Sequence, residues 1–194
     1  MKNEVYDILI IGAGAAGAAA AWNLSGNGFK ILCVDQGPNI NPKNYSFYQS
    51  DWEYFKLKKF NINPNIRKLR SDYPINDKNS PISIANFNAI GGSTILYSGH
   101  FPRFHKSDFQ TKTLDGVGDD WPFKYKDLEP FYNLNDKMMG VAGLKGDPAY
   151  PEIKDLLPPV PIEKSGEKIA KAFNKLRWHW WPSYSAIATK KYKN

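Results

Sequence analysis

Residues 12–17 read Gly-Ala-Gly-Ala-Ala-Gly, and the segments on either side leave that turn few folds to belong to. Before it, Val5-Tyr6-Asp7-Ile8-Leu9-Ile10-Ile11 is short, branched and almost continuously apolar, the pattern of a buried parallel strand. After it the alanine-rich run predicts a helix from Ala18 to Leu24, closed by Gly28, and a second strand from Lys30 to Val34 that ends on Asp35. Strand, turn, helix and strand make a βαβ unit of about thirty residues, the unit that dinucleotide-binding folds require.

Each glycine has a separate physical task. Gly12 permits the tight turn, Gly14 lets backbone approach a pyrophosphate, and Gly17 lets helix and strand pack closely. The helix start offers free N–H groups and positive partial charge to the phosphates, so Ala13, Ala15 and Ala16 join the candidate site. Asp35 follows Gly17 by 18 residues, where its carboxylate can accept from the adenosine ribose hydroxyls. The same charge repels a 2′-phosphate and disfavours NADP. NAD and FAD share the ADP half. A fingerprint this close to the start of the chain, with Asp35-Gln36-Gly37 in place of a longer acidic loop, favours FAD and adds Gln36 to the site.

Bulk properties remove several other classes. With 42% hydrophobic and 23% charged residues, the 194-residue chain has the composition of a globular protein. The 14% aromatic content leans toward a carbohydrate-handling or extracytoplasmic surface. Net charge is +7, but residues 161–194 carry +6 of it, so no basic face runs through the whole molecule and nucleic-acid binding is not expected. Cys33, the single cysteine, excludes an internal disulfide and a cysteine-built cluster, and its strand position predicts burial. No run approaches the ~20 apolar residues of a transmembrane helix, and the glycine-cut start does not read as a signal peptide.

Beyond a polar, Asn- and Lys-rich stretch (Asn39 to Asn79), the segment Ile82 to Ile90 leads into Gly91-Gly92-Ser93-Thr94. Two glycines and two hydroxyls opening a helix predict a second anion or ribityl site, as a cofactor long enough for two cradles would need. These motifs, with Gly99-His100-Phe101-Pro102-Arg103-Phe104, Ser107-Asp108-Phe109, Asp120-Trp121-Pro122 and Tyr125 to Tyr132, resemble the glucose–methanol–choline oxidoreductases. The branch most resembled is the flavoprotein subunit of gluconate- and sorbitol-type dehydrogenases, and the likeness covers about residues 5–190.

The resemblance implies an α/β fold: a Rossmann-type FAD-binding domain over residues 1–150, and the beginning of an α+β antiparallel-sheet substrate domain over 151–194. It implies non-covalent FAD held by Gly12, Ala13, Gly14, Ala15, Ala16, Gly17, Asp35, Gln36, Gly91, Gly92, Ser93, Thr94 and Gly99. It implies oxidation of a CH–OH group in an alcohol, sugar, polyol or sugar acid. The catalytic histidine of that family is expected beyond Asn194, so the chain reads as truncated and inactive alone. Relatives of this type work with a small signal-bearing subunit and a cytochrome subunit, which would make the location periplasmic by co-export; without them it would be cytoplasmic. Two departures stand out. Tyr97 replaces an asparagine common in relatives, and Leu96 lies where pyranose oxidases attach FAD through histidine.

The later segments have plainer readings. A helix is expected over Asp127 to Met139 with Asp127 as its cap and Pro130 in its first turn, and another over Ser165 to Arg177 with Ile169, Ala172, Phe173 and Leu176 on one face. Met138 and Met139 are expected as core or subdomain contacts. His179 among Trp178, Trp180 and Trp181 is compatible with a sugar-stacking platform, although packing in a strand is the preferred reading. His100 and His105 show no metal-ligand spacing, so no metal is expected; His100, just past the second glycine site, is a candidate to approach a flavin.

Overall fold

The computed structural model describes residues 4–41 and 61–192. The chain divides into two compact units, one ending at Tyr97 and one beginning at Ser98. Part of the Asn- and Lys-rich stretch therefore lies outside the described residues.

In the first unit, β1 (Ile8–Ile11), α1 (Ala15–Ser25) and β2 (Ile31–Val34) follow one another, and β2 pairs parallel to β1 with Ile8 opposite Ile31 and Ile11 opposite Val34. Asp7 starts the register: its N–H donates to the Lys30 carbonyl at 2.9 Å, and its carboxylate accepts from the Lys30 N–H at 2.8 Å. The Gly12 N–H donates to the Val34 carbonyl at 2.7 Å and carries the ladder to the mouth of the turn. α1 begins at Ala15, earlier than the sequence pattern suggests. Gly14 already stands as an extended N-cap with its carbonyl accepting from the Ala18 N–H, and alanine is the best helix former. Gly26 caps the other end, and Gly28 turns the chain back with φ +78°.

The strands are more open than expected. Leu9 is 60% exposed and Ile11 82%, and Cys33, expected inside, is exposed as well. A parallel sheet hides its residues by layering both faces and adding strands on both sides. Among the described residues only two strands pair, so alternate side chains remain uncovered.

A second layer of this unit is built from residues 61–97. Asn63 caps the short helix α2 (Pro64–Arg67), its side chain accepting from the Asn65 N–H at 2.9 Å. Arg67 is buried and forms a bidentate pair with Asp72 at 2.6 and 3.0 Å. It also donates to the carbonyls of Asn61 and Asn86 at 2.7 and 2.9 Å and stacks over Phe87. One guanidinium thus holds three loop segments that have no sheet to share. The 86–90 loop meets the end of β2 so closely that a Cβ on Gly37 would stand 2.3 Å from Ala89 backbone atoms.

In the second unit, α3 (Thr111–Asp115), α4 (Tyr125–Met139) and α5 (Glu163–Leu176) surround loops. α4 starts before the expected cap. Asp127 lies at its third position, where the carboxylate accepts from the Lys124 N–H at 2.8 Å, and Pro130 falls past the first turn. Met139 is partly exposed. α5 buries Ala170, while Ile169 and Leu176 of the expected inward face stay more than half exposed.

Arg103 is a buried charge here. It donates to Asp136 at 2.6 and 2.9 Å, to Tyr125 Oη at 3.1 Å and to Asn133 at 2.8 Å, anchoring the 99–104 loop on α4. Burial pushes the Asp136 carboxyl up, and the guanidinium opposes that shift. No antiparallel sheet forms among the described residues; His100–Ser185 and Ala142–Ser185 are single antiparallel bridges and Ala142–Leu157 a parallel one. Val141, Ile153 and Tyr184 share one core in this unit.

Two substitutions test these supports. A Cβ at residue 17 would lie 1.9 Å from the Gly12 carbonyl oxygen, so Gly17→Ala is expected to destabilise the first unit by at least about 1–3 kcal/mol, read by urea unfolding. Asp136→Ala leaves a buried guanidinium without its counter-charge, and a loss of about 3–5 kcal/mol is expected in the second unit.

Candidate functional site

The turn between β1 and α1 is held from one side by a carboxylate. Asp35 Oδ2 accepts from the Ala13 N–H at 2.7 Å, and Oδ1 accepts from the Gly37 N–H at 2.7 Å. The Ala13 bond first, then the Gly37 bond, hold the Asp35 carboxyl below the usual carboxylate range. An ionised carboxylate has about four acceptor positions, so about two stay available to a ligand's hydroxyls. Gly12 supplies the turn with φ +94°, a conformation that side-chain-bearing residues adopt rarely.

Gly14 differs from its neighbours. Its φ is −70°, which any residue adopts, and a Cβ built on it meets nothing within 4 Å. Neither backbone geometry nor packing within the chain requires glycine there. Open space above Gly14, beside the first-turn N–H groups of Ala15, Ala16 and Gly17 that a helix leaves without intrahelical partners, suits a phosphate that must touch backbone.

The second glycine motif docks onto the first. The Gly91 N–H donates to the Ala13 carbonyl at 3.0 Å, and a Cβ on Gly92 would lie 3.9 Å from Gly14 Cα. Gly91 and Gly92 both have positive φ, +97° and +57°. In place of the expected helix, Gly92–Ile95 forms one 3₁₀ turn. Its hydroxyls are engaged locally: Thr94 Oγ1 donates to the Gly91 carbonyl at 2.5 Å, and Ser93 Oγ accepts from the Phe87 N–H at 3.3 Å and donates to Asn86 Oδ1 at 3.4 Å.

Between these parts lies a cleft of about 580 Å³, lined by Gly12, Asp35, Gln36, Phe87, Asn88 and Gly92 among others. That is the size range of small-molecule and cofactor sites. Gln36 faces it and donates weakly to Tyr73 Oη at 3.3 Å. Asn86 to Ala89 were not singled out in the sequence; the nearest signal was their place immediately before the glycine pair.

Gly99 belongs to the second unit, where its carbonyl accepts from the Ala186 N–H at 2.8 Å. The three histidines lie there too. His100 Nδ1 is 3.1 Å from Ser183 Oγ, His105 Nδ1 3.7 Å from Asp108 and His179 Nε2 3.2 Å from Asp147. Among the described residues no three His, Cys, Asp or Glu side chains converge as metal ligands, and no helix is long and apolar enough to cross a membrane.

Residues 10–69 match the family model of an NAD(P)-binding Rossmann-like domain. The chain is 40% identical over 188 residues to a 2-methyl-1,2-propanediol dehydrogenase of Mycolicibacterium austroafricanum, covering 95% of this chain and 34% of that protein. It is 29% identical over 168 residues to the fructose dehydrogenase large subunit of Gluconobacter japonicus, covering 78% and 30%. With a 6'''-hydroxyparomomycin C oxidase of Streptomyces lividus the identity is 28% over 144 residues, covering 73% and 24%. The chain thus spans about a third or less of the length of these relatives. Residues 10–69 thus carry a Rossmann-like nucleotide-binding segment, and most of the chain is related in sequence to part of these dehydrogenases and oxidases.

The Asp35 bonds predict a pH dependence. A carboxyl held below its unfolded value stabilises the turn above the ordinary carboxylate range, and that contribution disappears as pH falls through the lowered folded value. Asp35→Asn should therefore remove part of the acid limb of the stability–pH curve and leave the slope above neutrality unchanged. Superimposable acid limbs for the two proteins would contradict this role.

Proposed function

We propose that the first unit binds FAD and that the chain is the cofactor-binding part of an oxidoreductase acting on CH–OH groups of a polyol, sugar or sugar acid. The observation that carries the reading is the junction of the two glycine motifs through Gly91 and Ala13. An NAD cradle needs only the first motif. A second glycine turn set directly beside Gly14 extends the backbone surface past the pyrophosphate, as a longer cofactor requires. The relatives named above support the reaction class, since their names describe oxidation of a diol, a ketose and an aminoglycoside.

In this reading Gly12, Ala13 and Gly14 and the first-turn N–H groups of Ala15, Ala16 and Gly17 hold the pyrophosphate. Asp35 keeps its two backbone bonds and offers its remaining acceptor positions to the ribose, and Gln36 borders the adenosine. Gly91 and Gly92 let backbone lie against the cofactor beyond the pyrophosphate, with Ser93 and Thr94 stiffening that turn and Gly99 following it in sequence. When bound, the flavin supplies the two-electron acceptor for hydride leaving the carbinol carbon. The expected gluconate- and sorbitol-type specificity, the partner subunits and a catalytic base outside these residues belong to the same proposal.

A second reading, NAD in the same cradle, has the family model's description in its favour. Direct titration separates the two: FAD is expected to bind at least tenfold more tightly than NAD, and tighter NAD binding would replace the first reading with the second. Gly14→Val should still fold, at most modestly destabilised at the helix cap, because a Cβ there meets no described atom within 4 Å, and should lose flavin binding by more than a hundredfold. A Gly14→Val protein that still carries stoichiometric flavin would exclude this turn as the pyrophosphate cradle.

A further inference from the structure

Helix α5 (Glu163–Leu176) turns its apolar stripe away from the protein. Ile162, Ile169 and Leu176 recur every seven residues, close to two helical turns, so they share one line, and Phe173 lies beside it one turn after Ile169. Ala170, the residue this helix buries, points about 100° away from that line. Ile169 is 60% exposed and Leu176 56%. Trp178 extends the stripe: its N–H donates to the Phe173 carbonyl at 3.0 Å, its ring meets Phe173 edge-on at 5.5 Å, and it is 60% exposed. A short helix draws most of its stability from packing such a stripe, and Gly166 weakens the intrinsic propensity of this one.

From the charges that flank the stripe we infer that α5 and Trp178 lie on the surface of an anionic phospholipid bilayer. The inference rests on the second unit alone and does not depend on the flavin reading. Lys164, Lys168, Lys171 and Lys175 fall within about 60° of one another around the helix, and Lys168 and Lys175 border the side that carries Ala172 and Leu176. None of the four pairs with a carboxylate among the described residues. Residues 161–194 hold eight Lys or Arg against Glu163 and Glu167.

This is the chemistry of a helix lying in the plane of a membrane: an apolar stripe among the upper acyl chains, and lysines whose stems run along it to anionic headgroups. Tryptophan, with an apolar ring and one N–H donor, favours that boundary. The helix is not long and apolar enough to cross the bilayer, so it lies on it. Other occupants satisfy half of the surface each. A second copy docked on the same face would bring the two sets of lysines together, and protein interfaces are depleted of lysine. A nucleic acid would meet the lysines and leave Ile169 and Leu176 in water.

The test mixes the intact chain with phosphatidylcholine vesicles containing about one-third phosphatidylserine, beside pure phosphatidylcholine vesicles, and measures bound protein by flotation. Binding stronger by roughly tenfold or more on the anionic vesicles is expected, and it should fall as salt is raised. Two double variants at exposed positions, Ile169→Ser with Leu176→Ser and Lys168→Glu with Lys175→Glu, should each weaken it by roughly tenfold or more with the melting temperature kept. Trp178→Phe should remove most of the blue shift that the vesicles produce in tryptophan fluorescence. No binding, equal binding to neutral vesicles, or unchanged binding in either double variant would overturn the proposal. So would tighter binding to duplex DNA than to the anionic vesicles, or a dimer that Ile169→Ser with Leu176→Ser abolishes. Flavin titration of the same variants should be unaltered, so failure here and failure of the cofactor assignment read out separately.

Discussion

The first unit depends on the Asp35 carboxylate being shared between two N–H groups that lie far apart in sequence. One belongs to Ala13 at the mouth of the glycine turn and the other to Gly37 just past β2. Apart from the Gly12 N–H bond to the Val34 carbonyl, no strand pairing holds either turn among the described residues, and glycine-rich backbone is the most costly kind to order. A charged acceptor makes the stronger sort of hydrogen bond, and here it makes one in each direction. The loop carrying Gly91 then stands on the same support, because Gly91 bonds to the carbonyl of the residue whose N–H Asp35 already holds. Order therefore passes from the carboxylate to the first turn and from there to the second.

This arrangement sorts the glycines into two kinds. Gly12, Gly17, Gly37 and Gly91 are explained by the chain itself, through positive φ or through backbone that a Cβ would strike. Gly14 is explained by neither. In the proposed reading the contact missing at Gly14 is the cofactor's pyrophosphate.

Legibility from sequence followed the range of the interactions. The βαβ unit was readable because its signals are local: a branched apolar run, a glycine turn, an alanine run, an acid at a fixed offset. The buried arginines were not. Arg67 reads as one more basic residue in a polar stretch until its fork meets Asp72 and the carbonyls of Asn61 and Asn86. Arg103 finds Asp136 across 33 positions, a pairing that no periodicity encodes. Burial was misjudged at Cys33 and Ile11 for a related reason. An apolar strand announces that it will pack but not whether its neighbours are among the residues at hand. Asp127, expected to cap α4, moved to its third position because a carboxylate can satisfy the same free N–H groups by reaching back.

The double duty of Asp35 bears on which nucleotide the cradle accepts. Two of its acceptor positions are taken by backbone, and the carboxylate stays ionised because those bonds favour its charged form. A ribose with free hydroxyls can donate to the rest. A 2′-phosphate brings acceptors and negative charge to a group that can only accept, and the nearby amides that might have compensated, Ala13 and Gly37, are already committed to Asp35. Discrimination against a phosphorylated ribose therefore follows from the same bonds that order the turn. In the proposed reading, replacing Asp35 to admit such a ligand would loosen the same turn that is proposed to hold the pyrophosphate, which couples affinity to selectivity.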